Sequence, residues 1–253
     1  MVPSGSITLC RLIVDPPGAG ARHMAVDEVL LATAAQSGRM SLRFYRWNQP
    51  TVSLGYFQSH ADRAAHPASL EAPVVRRQTG GGAIVHDREL TYALAVPANY
   101  AGAGDAGRLY SVVHQAIART LAAYGVDTRL CGAADSHPGP RQPFLCFLRR
   151  APCDLFLGDA KIGGSAQRRR QGAILQHGSL LLGRSSAAPE LPGINDLTDT
   201  SISPVELAER LAQELACELR LSLERQELSP AEQQAAARLV EEKYAANRWT
   251  QRR

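Results

Sequence analysis

The chain has 253 residues, of which 45% are hydrophobic and 21% charged, a composition typical of an ordinary globular protein. No apolar run approaches the roughly eighteen residues that a membrane-spanning helix needs, and the first residues lack the basic start of a signal peptide, so we expect a cytoplasmic protein with no membrane partner. The net charge of +4 suits an acidic or phosphate-bearing partner, but the basic residues are dispersed apart from Arg168–Arg170, and no nucleic-acid-binding motif is present, which argues against DNA or RNA.

Cysteine and lysine usage bear on the chemistry. The five cysteines include no C-x-x-C pair, which in a reducing compartment favours buried or reactive thiols over disulfides, and we expect no metal site. Of the 28 basic residues, only Lys161 and Lys243 are lysines. Because arginine is always charged whereas lysine can be desolvated and tuned, a lysine in a glycine-rich segment indicates a position where arginine would not serve.

The first half of the chain predicts a helix followed by short strands. Residues 22–37 have apolar side chains near helical spacing and end at Gly38, a suitable helix C-cap. Residues 110–124 predict a second helix, closed by Gly125. Between these helices, strand-like runs lie at 41–47, 51–57, 73–78, 83–87 and 90–97.

The second half begins with a long irregular segment, 126–145, rich in Gly, Pro, Asp and Ser; such segments are usually functional or mobile. Strands are predicted beyond it at 154–157, 160–163 and 173–182. Ser-x-x-Glu capping boxes that begin at Ser203 and Ser229, each with proline next, predict two helices near 204 and 230. Many strands with few helices, and no β–α–β alternation, predict an α+β fold on a mixed or antiparallel sheet flanked by helices.

Three consecutive glycines, Gly80, Gly81 and Gly82, follow Arg76 and Arg77 and lie between two strand-like runs. Glycine lets the backbone adopt unusual dihedrals and approach a ligand closely. The loop amides would then face carbonyl or phosphate oxygens, with an arginine supplying charge. This is not a Walker A loop, because no Gly-Lys-Ser/Thr follows. A glycine-rich turn with incidental arginines also explains the local pattern.

A second candidate is Lys161, at the start of the segment Lys161–Gln167. The small residues after it leave open volume near the ammonium group, which would suit polarising a carbonyl oxygen or holding a negative intermediate. Those small residues are Gly163, Gly164, Ser165 and Ala166. The alternative is a hairpin with an exposed lysine.

The third candidate is Cys146, between apolar residues at the end of the irregular segment. A lone cysteine is more often a buried small hydrophobe than a nucleophile. On local grounds Cys153 is an equal candidate.

Taken together, these segments resemble the biotin/lipoate ligase and transferase superfamily. The resemblance covers about residues 20–185 and rests on HMAVDEVLL (23–31), RFYRWNQPTVSLGYFQ (43–58), RRQTGGGAIVHDRELTYA (76–93), CFLRRAPCDLFLGDAKIGGSAQRR (146–169) and QHGSLLL (176–182). It implies a biotin/lipoate ligase-like catalytic domain over 1–200, with a C-terminal helical extension over 201–253 packed on it.

The resemblance also implies which residues form the site. Cys146 and Lys161 would be catalytic, and Arg76, Arg77 and His86 would line the mouth of the acyl pocket. The implied acyl- and substrate-binding set further includes Trp47, Thr79, Gly80, Gly81, Gly82, Gly163, Gly164, Ser165, Ala166 and His177.

Two chemistries occur in this superfamily. Lipoate ligases activate a free acid with ATP, whereas octanoyltransferases pass octanoate from acyl carrier protein through a cysteine to a target lysine. The transferase branch is favoured by Cys146, fifteen residues before Lys161, by the segment His86–Tyr92, and by the absence of room for a sizeable accessory domain. Gly82, which completes the triple glycine, instead resembles the ligases, because the transferase branch often has arginine at this position.

The sequence therefore predicts an octanoyltransferase of lipoate biosynthesis that needs no cofactor. Its partners would be acyl carrier protein and a lipoyl-domain protein, either the glycine cleavage H protein or a 2-oxoacid dehydrogenase E2. The alternatives are an ATP- and Mg-dependent lipoate ligase, an amidotransferase that moves lipoyl groups between proteins, and a non-catalytic acyl- or nucleotide-binding module.

Overall fold

A large mixed β-sheet forms the centre of the molecule. The computed structural model describes residues 7–100, 105–133 and 142–253. The strands of the large sheet are β1 (Thr8–Val14), β2 (Met40–Tyr45), β6 (Glu89–Val96), β7 (Arg129–Leu130), β8 (Leu155–Leu157), β9 (Ala160–Arg170), β10 (Ala173–Leu181) and β11 (Leu221–Arg225). Their order across the sheet is β11-β1-β2-β6-β10-β9-β8-β7.

Both pairing directions occur in this sheet. Strand β1 pairs in parallel with β2 and with β11, whereas β2, β6, β10, β9, β8 and β7 pair antiparallel in succession. A second, three-stranded sheet places β3 (Thr51–Leu54) between β4 (Val74–Arg76) and β5 (Ile84–His86). This architecture confirms the predicted α+β class with a mixed sheet and flanking helices.

The helices cover both faces of the large sheet. They are α1 (Gly20–Ser37), α2 (Ala106–Ala122), α3 (Ile194–Leu197), α4 (Pro204–Leu219), α5 (Pro230–Leu239) and α6 (Asn247–Thr250). Helix α1 ends as predicted at Gly38, which is left-handed (φ 71°) and donates its N–H to Ala34 O. The predicted capping box also forms at Ser229 of α5, whereas Ser203 makes no side-chain cap to α4. No helix in the described ranges is long and apolar enough to span a bilayer.

The alternation of side chains along β6 shows how the two faces are filled. Leu90, Tyr92 and Leu94 point into one apolar cluster, which α2 and α4 cover. Ala93 and Ala95 point into the other, where α1 packs. Because strand side chains alternate between faces, one strand thus supplies large residues to one core and small residues to the other.

The segment 201–253 adds a strand as well as the two predicted helices. Strand β11 extends the large sheet in parallel with β1, and α5 packs on α1. The residues after 200 therefore belong to the same sheet and core as those before it. Within the irregular segment 126–145, the structure describes the short strand β7, and positions 134–141 lie outside the described residues.

Candidate active site

The glycine-rich loop and the cysteine segment are joined through their backbones. Ala83 N donates to Phe144 O at 3.0 Å, and Cys146 N donates to Ala83 O at 2.7 Å. Gly81 has a left-handed φ of 92°, and an added Cβ would lie 3.9 Å from Cys146 Sγ. Gly55 crosses behind this loop so closely that its own Cβ would lie 2.0 Å from Gly81 O. The loop is therefore a packed wall beside the thiol.

Lys161 reaches the same place from the opposite side. The hairpin between β8 and β9 puts its Nζ 3.9 Å from Cys146 Sγ and 3.3 Å from Cys146 O. The Lys161 side chain is 3% exposed. The two residues predicted to be catalytic therefore share one cavity.

Asp154 is the charge partner that the sequence analysis missed. Its Oδ2 lies 2.7 Å from Lys161 Nζ and accepts from Ala151 N at 2.8 Å. Burial raises the pKa of Asp154, and the Lys161 ammonium opposes that shift. The only local signal was a lone acidic residue at the start of an apolar strand, so the pairing depends on the hairpin geometry.

Arg77 lies behind the glycine loop and lines the pocket. Its guanidinium donates to Ser53 O at 2.6 Å, to Gly80 O at 3.0 Å and to Gly82 O at 2.9 Å. Burial lowers its pKa to about 10, so the group stays charged at neutral pH. Arg77 therefore holds the carbonyl groups of Gly80 and Gly82 towards its guanidinium.

Arg76 lies away from the cavity, contrary to the prediction that it lines the mouth. Its side chain is fully buried and donates to Gly55 O at 2.8 Å, Gln58 O at 2.7 Å and Thr250 O at 2.6 Å. Arg76 is the last residue of β4 and Arg77 follows it directly; because successive residues of an extended chain point to opposite sides, only one of the two faces the pocket. Arg76 therefore joins the turn at Gly55–Gln58 to helix α6 and does not line the pocket.

Two buried histidines line the pocket, and each is fixed through both ring nitrogens. His86 lies between Ser53 Oγ (2.6 Å) and Glu89 Oε1 (2.7 Å), and burial lowers its pKa. Trp47 does not line the pocket; it stacks on the His86 ring with centroids 3.9 Å apart. The predicted set therefore includes Trp47, which packs against the pocket-lining His86 but does not itself line the pocket.

His177 is held in the same way. Its Nδ1 lies 2.9 Å from Asp27 Oδ2 and its Nε2 lies 2.7 Å from Thr79 Oγ1. Thr79 therefore acts through the histidine and does not line the cavity itself. Burial opposes ionisation of Asp27, but the hydrogen bond with His177 and the charge of Arg43 hold its pKa below the usual value.

The pocket lies between the two sheets and the cysteine segment. Ten residues of the predicted set line it: Arg77, Gly80, Gly81, His86, Cys146, Lys161, Gly164, Ser165, Ala166 and His177. The sequence analysis missed a further group that also lines it: Met24, Tyr45, Ile84, Thr91, Phe147, Gly178 and Ser179. These belong to strands or helices that read as ordinary core, so only the fold could assign them.

Two predicted glycines lie just outside the lining. A Cβ on Gly82 would meet the Arg149 guanidinium at 2.7 Å, and one on Gly163 would meet Leu180 at 2.9 Å. Both are positions of close packing around the pocket.

Cys153, the rival thiol, does not line this pocket. Its backbone is left-handed (φ 68°), and its carbonyl accepts from His114 Nδ1 at 2.6 Å. Of the two candidate thiols, only Cys146 lines the pocket. No group of three or more His, Cys, Asp or Glu side chains in the described part of the chain is arranged to hold a metal ion.

This fold and pocket define an α+β domain in which a glycine-rich loop and a lysine-bearing strand lie on either side of one pocket. Residues 19–215 match the family model of the lipoyl protein ligase A/B catalytic domain, and the chain belongs to this family. The resemblance identified from the sequence is thereby confirmed.

The chain is also similar to relatives of nearly equal length that are named octanoyltransferases. The chain is 32% identical to octanoyltransferase LipM of Kyrpidia tusciae, with 96% of this chain and 98% of the relative covered. It is 33% identical to octanoyltransferase LipM of Symbiobacterium thermophilum, with 92% and 95% covered.

Solved structures share the fold at lower identity. A lipoate-protein ligase A bound with ATP superposes with a TM-score of 0.78 at 23% identity, covering 96% of this chain and 99% of the other. A bipartite lipoate protein ligase from Thermoplasma acidophilum gives a TM-score of 0.75 at 21% identity, with 96% of each chain covered.

Proposed function

We propose that this protein is an octanoyltransferase of lipoate biosynthesis, which passes an octanoyl group through Cys146 to a lysine of a lipoyl-domain protein. The observation that carries the proposal is the 3.9 Å separation of Cys146 Sγ and Lys161 Nζ inside a largely apolar pocket. The LipM relatives support the same activity.

In the first step the Cys146 thiolate attacks the carbonyl carbon of octanoyl-acyl carrier protein. A new S–C bond forms, the old thioester bond breaks, and the carrier leaves as a thiol once it takes up a proton. Splitting the transfer in this way suits a thioester donor, because the exchange is nearly isoenergetic. The Lys161 ammonium stabilises the thiolate and the oxyanion, together with amides of Gly80–Gly82.

In the second step the neutral amine of the target lysine attacks the octanoyl-Cys146 thioester. The amide bond forms, the amine releases one proton, and Cys146 leaves as a thiolate. The pocket holds the acyl chain, and each buried methylene contributes about 0.8 kcal/mol. Neither ATP nor a metal ion takes part in either step of this proposal.

Intact-mass analysis tests the proposal directly. After incubation with octanoyl-acyl carrier protein, we expect a mass increase of one octanoyl group on Cys146. Cys146→Ala should abolish the adduct and the transfer, and Cys153→Ala is the matched control that should keep both. An octanoyl group found on Cys153 would contradict the assignment.

An ATP-dependent lipoate ligase is the second candidate, because Gly82 completes the ligase-like triple glycine. Such an enzyme would release pyrophosphate from ATP and free lipoate, and Cys146→Ala would not affect that release. An amidotransferase would use the same cysteine but accept the acyl group from a lipoylated protein. Assays of each donor with an apo lipoyl domain, with and without ATP, separate these activities.

A further inference from the structure

Two aromatic residues, the half-buried Tyr56 and the exposed Phe57, lie beside the glycine-rich loop. After Gly55 the chain turns, and Tyr56 N donates to Thr79 O at 2.8 Å. A Cβ on Gly80, a pocket-lining residue, would lie 4.0 Å from the ring of Phe57. Phe57 itself is 66% exposed. The Phe57 ring therefore lies between Gly80 and solvent, at the rim of the pocket.

Three arginines gather on these rings. The Arg252 guanidinium lies 4.1 Å from the Tyr56 ring centroid, Arg168 lies 5.5 Å from the same ring, and Arg253 lies 5.4 Å from Phe57. The Arg252 guanidinium beside Tyr56 lowers the pKa of that phenol. Within residues 7–100, 105–133 and 142–253, none of the three forms a salt bridge with an Asp or Glu side chain.

The ring of Trp249 completes this surface, at 5.0 Å from the Arg252 guanidinium. We call the set of Tyr56, Phe57, Arg168, Trp249, Arg252 and Arg253 the arginine–aromatic patch. Buried Arg76 anchors it: the guanidinium donates to Gly55 O and Thr250 O, and Trp249 Nε1 donates to Arg76 O at 2.9 Å. Because all its acceptors are neutral carbonyls, Arg76 adds a further positive charge beneath the patch.

We infer that the arginine–aromatic patch docks the acyl donor, an acidic carrier protein that presents its thioester at the end of a phosphate-linked arm. This inference rests on the proposed function. A thioester that reaches Cys146 leaves the phosphate and the carrier outside the pocket, at the rim. Guanidinium groups match phosphate and carboxylate geometry with paired hydrogen bonds, and an exposed aromatic ring is a common interface anchor. The acceptor presents a lysine and has no such phosphate, so the patch fits the donor better.

Single-turnover acylation of Cys146, followed by intact mass, tests the docking site with two donors. One donor is octanoyl-acyl carrier protein; the other is octanoyl-pantetheine, which has the same thioester but neither the phosphate nor the protein. The variants are Phe57→Ala and the double substitution Arg168→Glu/Arg252→Glu. The matched control is Arg225→Glu/Arg238→Glu, which makes the same charge change at exposed positions away from the patch.

With the carrier protein, we expect the patch double variant to lose at least about 10-fold in the ratio of the acylation rate constant to the half-saturating donor concentration at low salt, mainly through a higher half-saturating concentration, and the control to stay near wild type. Phe57→Ala should lower the same ratio. With octanoyl-pantetheine, all variants should acylate at the wild-type rate, which also shows that they are folded.

Equal losses in the patch and control variants, or no loss in either, would overturn the docking site. So would normal acylation combined with impaired transfer to the lipoyl domain, since the patch would then serve the acceptor. Failure of wild-type Cys146 to become acylated by either donor is a different result, which would refute the proposed function itself.

Discussion

The ammonium group of Lys161 is buried between a thiol and the carboxylate of Asp154, at 3.9 and 2.7 Å. Removing one partner of a buried ion pair leaves the other charge uncompensated, which costs about 3–5 kcal/mol. We therefore expect Asp154→Asn to lower the free energy of unfolding by about 3 kcal/mol, measured by urea denaturation. Asp159→Asn is the control in the same hairpin, because the Asp159 side chain is fully exposed. Equal stability of the two variants would contradict the role given to the pair.

Lys161 also has little room around its side chain. A Cβ on Gly164 would lie 2.9 Å from Lys161 Cε, so the broader guanidinium of arginine does not fit the same position. We expect Lys161→Arg to slow octanoyl transfer on the order of 100-fold, the usual cost of losing one oxyanion-stabilising group. Lys243→Arg should keep the wild-type rate, since Lys243 pairs with Glu28 outside the pocket. Full activity of Lys161→Arg would rule out the catalytic assignment.

At this scale, sequence reasoning identified the residues with a distinctive local setting. Lys161 and Cys146 drew notice from lysine scarcity and from the family resemblance, and the structure places them in one cavity. Asp154 was missed because a single carboxylate before an apolar strand has no distinctive pattern. Arg76 was misplaced because the sequence could not say which arginine of the pair faced the loop.

At the scale of elements, α5 is attached to the sheet through one buried ion pair. Arg11 of β1 contacts Glu232 of α5 through two hydrogen bonds of 2.7 Å. Burial alone would raise the pKa of Glu232, but Arg11 and the Ser229 cap hold it at about 2, below the ordinary 4.5. A depressed carboxyl pKa contributes stability that is present above pH 4.5 and lost as pH falls towards 2.

We therefore expect wild type to exceed Glu232→Gln in unfolding free energy by about 2–3 kcal/mol at pH 6, with the difference shrinking to a few tenths near pH 2. Urea denaturation across that range measures the difference. The exposed Glu227→Gln should follow the wild-type curve throughout. A pH-independent gap for Glu232→Gln would refute the linkage.

Most helices and central strands were predictable to within a few residues, because their alternation and capping signals are local. Strand β6 was expected over 90–97 and spans Glu89–Val96. Strands β1 and β11 were not predicted, since each interrupts its apolar residues with a charge, Arg11 and Glu224, and exists through pairing with a distant segment. Strand β9 continues to Arg170, well past the predicted 163, because β10 pairs with it from Gly163 to Arg170.

At the scale of the whole molecule, the first and last parts of the chain share one sheet. Strand β11 pairs with β1, and α4 contributes to the same core as α2 and β6. We therefore expect a single cooperative unfolding transition, with far- and near-ultraviolet circular dichroism curves that coincide. Truncation after residue 200 should leave an unfolded product. Two separate transitions would instead support an independent unit after that residue.

The positions of the two tryptophans allow their fluorescence to report on two separate parts of the molecule. Trp47 stacks on His86, which lines the pocket, and Trp249 lies in the arginine–aromatic patch. Entry of an acyl chain into the pocket should therefore change the fluorescence emission of Trp47. Binding of a carrier protein at the patch should change the emission of Trp249. With Trp47→Phe and Trp249→Phe, stopped-flow fluorescence can time the two events separately within one turnover.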